Sequence, residues 1–211
     1  DLLEYEPITK NQEVTYDAWE EDYNLVLTGS AGTGKTFMGM YLGLEQVLDP
    51  DSAQDRLVII RSMVPTRDMG FLPGTKEEKE DAFTSPYKNI AAELFGDNNS
   101  WNRALSTKKI QFESTSFIRG LTLDYSVILV DEMQNLSFHE LDSIITRMGE
   151  NCRIIFCGDF RQADLRANGL KDFFQVLKRM DLFTFIEFEV EDIVRSEFVK
   201  TYIIAKNELD L

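Results

Sequence analysis

The strongest constraint on this chain is the stretch NLVLTGSAGTGKT at residues 24–36. Leu25, Val26 and Leu27 make a short apolar run that suits a buried strand. Gly29, Ser30, Ala31, Gly32, Thr33, Gly34, Lys35 and Thr36 then spell G-x-x-x-x-G-K-[ST], the pattern of a phosphate-binding loop. A helical stretch follows, with Phe37, Tyr41, Leu44 and Leu48 expected on one face. A triphosphate needs many donors converging on a small anionic target. Glycines let successive backbone N–H groups turn inward as a nest for anions, and they remove the Cβ atoms that block close approach. The helix that begins here adds its positive dipole end. Lys35 is expected at the β- and γ-phosphates, the Thr36 hydroxyl at Mg²⁺, and residues 29–37, Phe37 included, around the nucleotide.

Downstream, apolar runs alternate with helical patterns. Residues 56–61, 109–113, 125–131, 153–157 and 183–188 read as strands. Helices are expected over 11–22, 86–95, 137–148, 169–180 and 196–206, with Pro86 starting one and Ser137 and Glu140 spaced as a capping box. Residues 62–85 carry Pro65, Gly70, Pro73 and Gly74 and read as a long functional or mobile loop. Strand–helix alternation predicts an α/β fold of three layers, a mostly parallel sheet flanked by helices. With no repeat and no low-complexity linker, one domain over residues 1–211 is expected.

A parallel sheet presents ligands at the carboxyl ends of its strands. Asp131 and Glu132 follow the apolar run at 127–130. Hard cations prefer oxygen ligands, so Asp131 is expected to hold Mg²⁺, with Glu132 orienting and polarising an attacking water. After the run at 154–157 comes GDFRQ, whose Gln162 is expected to sense the γ-phosphate or hold that water. Arg195 is a candidate arginine finger, because a guanidinium stabilises charge spread over phosphate oxygens.

The net charge of −15 argues against a broad electrostatic grip on nucleic acid. A local basic groove from Arg56, Arg61, Arg67, Lys108, Lys109 and Arg119 is the exception to look for. No apolar run is long enough to span a membrane, and the acidic opening DLLEYEPITK is unlike a signal peptide, so a cytoplasmic location is expected. Cys152 and Cys157 flank a strand-like run and are too far apart to bond, which suits reduced thiols. His139 is the only histidine, and no Cys/His cluster suggests zinc.

The phosphate loop, VDEMQN at 130–135 and GDFRQ at 158–162 together resemble the helicase-like ATPases of superfamily 1. More closely, the chain resembles the PhoH-like family through TKNQ at 9–12, the loop itself, RSMVPTRDMGFLPGTKEEK at 61–79, FIRGLTLDYSVILVDEMQN at 117–135, GDFRQADL at 158–165 and EDIVRSEFV at 191–199. The resemblance implies an ATPase with a RecA-like core, ATP and Mg²⁺ at the sheet edge, and action on single-stranded RNA or DNA. Gln12 matches the glutamine that reads adenine in related helicases. Arg61 and the 62–79 loop match a region that touches single-stranded nucleic acid there, and Arg119 matches a family arginine. Phe160, Arg161 and the run Thr66, Arg67, Asp68, Met69 depart from the family pattern.

Helicases of superfamily 1 close two RecA-like domains over the nucleotide, and this chain has length for one. The resemblance therefore favours a homo-oligomeric ring, a hexamer being the expected size, in which neighbours complete each site. A chain that does not unwind duplexes is the other solution. The competing reading is an ATP-switched protein-interaction module without helicase activity. A nucleotide kinase fits less well, since the Asp131–Glu132 pair suits attack by water and no arginine-rich lid is visible.

Overall fold

The computed structural model describes residues 1–63, 76–161, 169–193 and 197–211, with the backbone alone over 76–79. Six strands form one sheet: β1 (Asn24–Gly29), β2 (Arg56–Arg61), β3 (Ile110–Ser114), β4 (Ser126–Val130), β5 (Arg153–Gly158) and β6 (Phe183–Phe188). Their spatial order is β3-β2-β4-β5-β1-β6, and every pairing is parallel. The helices between them are α1 (Lys10–Glu20), α2 (Lys35–Leu48), α3 (Lys76–Phe95), α4 (Ser100–Ser106), α5 (Phe138–Thr146), α6 (Leu170–Met180) and α7 (Glu197–Glu208).

Both faces of the sheet are covered, and the strand period of two decides which residue meets which layer. Leu25, Leu27, Leu57, Ile59, Val127, Leu129, Ile155 and Cys157 face the layer of α1 to α4. Val26, Val58, Ile60, Ile128, Val130, Ile154 and Phe156 face the layer of α5 and α6. Helix α2 lies tight against the sheet. An added Cβ at Gly39 would stand 2.7 Å from Leu129 Cδ1, and one at Gly43 2.8 Å from Leu57 Cδ1. Tyr41 and Leu44 are buried as the apolar pattern required, but Leu48 at the helix end is 39% exposed.

Several boundaries differ from the sequence expectation. Helix α3 begins at Lys76, ten residues before Pro86, which sits inside it. The charged run at 76–81 is a good helix former, and proline removes only one ladder bond. Helix α4 was not anticipated; its seven residues are too few to show a period, and packing of Trp101 and Ala104 holds it. The capping box at Ser137 and Glu140 forms as expected. The single basic groove does not. Arg56 and Arg61 end opposite edges of β2, about 16 Å apart, and Lys108 and Lys109 precede β3 on the Arg56 side. Arg119 meets His139 at 3.3 Å, and Arg67 lies outside the described residues. Cys157 is buried and both thiols are free. Among the described residues, no helix is long and apolar enough to cross a membrane.

Candidate functional site

The site forms where the carboxyl ends of β1, β4, β5 and β2 meet α2. β1 ends at Gly29, whose φ of 133° turns the chain away from β6. The loop then closes into α2 at Gly34. Thr33 Oγ1 donates to Ser30 O at 2.8 Å and ties the loop across itself. Lys35 is buried, and its ammonium donates to Gly29 O at 2.8 Å and Ser30 O at 2.7 Å. Burial pulls its pKa down, while Cys157, Asp159, Glu132 and Asp131 hold it up. The cation thus lies folded against carbonyl oxygens of its own loop.

Asp131 follows the last residue of β4 and is 5% exposed. Thr36 Oγ1 donates to its Oδ1 at 3.0 Å, and the buried Tyr87 hydroxyl donates to its Oδ2 at 2.6 Å. Both oxygens are therefore held. Glu132 has φ 51°, a left-handed conformation that aims its side chain away from the strand line. Gln134 Nε2 donates to Glu132 Oε2 at 2.5 Å, while Gln134 Oε1 accepts the Asp159 N–H at 3.1 Å. Burial first, then Asp131, raises the Glu132 carboxyl above its ordinary value. One amide thus ties the ends of β4 and β5 together.

These groups line one cavity of about 480 Å³, within the usual range for small-molecule sites. Its polar end holds Lys35, Thr36, Asp131, Glu132 and Arg61. Its other end is aromatic and apolar, with Tyr5, Ile8, Tyr16 and Phe37. Tyr5 meets Phe37 edge-on with ring centroids 5.2 Å apart. Gln12 also lines this end but is buried rather than exposed. Its Oε1 accepts the N–H groups of Ile8 at 2.8 Å and Thr9 at 3.3 Å, and Nε2 reaches Asp192 O at 3.4 Å. It is therefore the third residue of the capping box of α1. Thr9 also bonds Asp192, and Asn11 donates to it at 2.8 Å. The family-like stretch at 9–12 thus meets Asp192 of the other in space.

Asp159 accepts a forked bond from Arg161, at 3.1 Å and 3.0 Å. Burial works to raise the Asp159 carboxyl, but these bonds leave it below its ordinary value. Arg161 also donates to Asn207 of α7 at 3.3 Å, and Ile203 of α7 approaches Gly32. Helix α7 therefore lies beside the phosphate loop. Gln162 and Arg195 lie outside the described residues. Tyr87, Gln134 and Asp159 were missed in the sequence as site residues. Asp159 had a signal, since it follows an apolar strand as Asp131 does; Tyr87 had none, because it arrives from a helix.

A parallel sheet with this loop and acidic pair at its carboxyl edge defines a nucleotide-binding P-loop NTPase with a RecA-like, helicase-like core. Among solved structures, the large terminase of the thermophilic bacteriophage D6E superposes with a TM-score of 0.56 at 11% identity, covering 94% of this chain and 50% of that one. The helicase domain of Pyrococcus furiosus Hef gives 0.53 at 14% identity, covering 86% and 39%. The chain belongs to the PhoH-like protein family, which matches residues 4–206. It is 38% identical to protein PhoH2 of Bacillus subtilis over 68% of this chain and 34% of that protein. It is 32% identical to a PhoH-like protein of Synechocystis over 84% and 54%, and 29% identical to PhoH of Escherichia coli over 85% and 51%. The chain therefore spans about a third to just over half the length of these relatives.

Proposed function

We propose that this protein binds ATP with Mg²⁺ and hydrolyses it by in-line attack of water. The observation that carries this reading is the convergence of Lys35, the Thr36–Asp131 pair and Glu132 on one cavity whose far end is aromatic. The loop amides and Lys35 bind the polyphosphate, with Lys35 exchanging a carbonyl partner for a phosphate oxygen. The purine lies toward Tyr5 and Phe37, and Gln12 contributes the remaining N–H of its amide. The hydroxyl of Thr36 and the carboxylate of Asp131 suit Mg²⁺, which prefers oxygen donors and keeps several waters and phosphates. When bound there, that ion would supply positive charge against the charge that develops on the phosphates. Glu132 orients the attacking water and accepts its proton. Gln162 and Arg195 are assigned the sensor and finger roles on sequence alone.

Tyr87 positions Asp131 for this task. Replacing it with phenylalanine leaves one carboxylate oxygen buried without a donor, which costs about 1–3 kcal/mol. In Tyr87→Phe the Mg²⁺ concentration giving half-maximal nucleotide affinity should rise about tenfold, while Mg²⁺-free nucleotide binding stays near wild type. A Mg²⁺ titration followed by nucleotide fluorescence reads this directly, and an unchanged midpoint rules the positioning role out.

Coupling to single-stranded RNA or DNA, through a ring whose neighbouring subunit closes the site, is the second part of the proposal. It draws on the family and on the likeness to the core of a terminase and of a helicase. The competing reading, an ATP-switched protein-binding module, draws on the net charge of −15. Steady-state ATP hydrolysis at low salt, with and without single-stranded RNA and DNA, separates them. Severalfold stimulation supports the motor, and indifference to both polymers moves the assignment to the switch. Absence of hydrolysis by wild type in every condition rejects the enzymatic reading.

A further inference from the structure

Arg61 ends β2, one strand beyond the acidic pair. The Asp131 N–H donates to Ile60 O at 2.9 Å, so the backbone sets Arg61 level with Asp131 and Glu132. The side chain lines the same cavity as Lys35 and both carboxylates. Its guanidinium lies over the Phe83 ring, 5.3 Å from the centroid, and Nη1 stands 3.5 Å from the Tyr87 hydroxyl. Nε is buried with no hydrogen-bond partner. The ion pairs among the described residues are Arg103–Asp97 and Arg161–Asp159, and none of the described carboxylates lies within 4.0 Å of Arg61.

The nearby acids already have partners. Both oxygens of Asp131 accept hydroxyl bonds, and Glu132 accepts from Gln134. A guanidinium is always charged and carries five donors in a rigid fork. Leaving such donors buried and unpaired is unfavourable, and an arriving anion relieves it. The phosphate loop and Lys35 approach a polyphosphate from β1. Arg61 stands on the opposite side of the acidic pair from that loop, on the strand beyond β4.

We infer that Arg61 is a γ-phosphate contact supplied by the same chain, with Phe83 and Tyr87 fixing the plane of its guanidinium. The inference rests on the ATP reading and deepens it. It also moves Arg61 from the nucleic-acid surface, where its sequence neighbourhood pointed, into the nucleotide cavity. The site then tells ATP from ADP through a residue of β2, independently of any neighbouring subunit.

The test is equilibrium binding of fluorescent ADP and of a non-hydrolysable ATP analogue, both with Mg²⁺, to wild type, Arg61→Gln and Arg61→Lys. Arg61→Gln should bind ADP within about twofold of wild type and the triphosphate analogue at least about tenfold more weakly. Its turnover at saturating ATP should fall about 100-fold or more. Arg61→Lys, keeping the charge without the fork, should fall between. Equal weakening of both nucleotides overturns the inference, as does intact nucleotide binding with weakened single-stranded RNA binding. Normal ADP binding by the variant shows that its fold survives. Should wild type bind neither nucleotide, the ATP reading itself fails and takes this inference with it.

Discussion

Glu132→Gln is expected to bind ATP as tightly as wild type and to turn it over about 10³-fold more slowly. The amide keeps the shape of the side chain, so the φ of 51° and the packing at the end of β4 need not change. What it loses is the ability to accept a proton from water. Nucleotide affinity and single-turnover hydrolysis, measured on the same preparation, separate binding from chemistry; loss of both together would assign Glu132 to binding instead. The pH profile gives a second reading. The base works in its charged form, and burial beside Asp131 raises its pKa above the ordinary 4.5. Protonation therefore sets in at a higher pH than for a solvated glutamate. The acid limb of the wild-type turnover profile should lie above pH 4.5 accordingly. The residual activity of Glu132→Gln should lack that limb.

Gly29→Ala should be the most destabilising single methyl in the loop. Gly29 pairs with Phe188 of β6, and its φ of 133° is one that L side chains rarely adopt. An added Cβ would stand 2.2 Å from Phe188 O and 3.0 Å from Phe188 C. Those are backbone atoms of a paired strand, so no rotamer change relieves the overlap. Either β6 separates from β1 or the loop loses its turn. A cost of about 3–5 kcal/mol is expected, lowering Tm by roughly 10 °C. Gly120→Ala is the control, with nothing within 4 Å of the added methyl. Thermal melts of the two variants against wild type decide it, and equal melting temperatures would show that the strands tolerate the methyl.

Much of this site was legible before any tertiary information. The loop at 29–36 could be read because its residue types and spacing are local: one strand end, one turn and one helix start carry the whole loop. Asp131 and Glu132 were legible for a related reason. A parallel sheet puts every strand's carboxyl end on one edge, so an acidic pair after the most apolar run had one place to go. The periods of strand and helix likewise sufficed for the α/β layering, because burial on both faces leaves continuous apolar runs.

Other parts depended on the fold. Tyr87 sits 44 positions before Asp131, on a helix whose start the charged run at 76–81 concealed; only the packing of α3 brings its hydroxyl to the carboxylate. Gln12 caps α1 through the N–H groups of Ile8 and Thr9, which are local in sequence, but its third backbone partner, Asp192 O, is brought to it only by the fold. Arg56 and Arg61 are near neighbours in sequence, but a strand carries one to each edge of the sheet. What the sequence determined by itself was the chemistry that travels in short contiguous pieces. What only tertiary structure decided was which distant side chains satisfy the polar atoms those pieces bury, because hydrogen-bond partners are chosen by proximity in space and not along the chain.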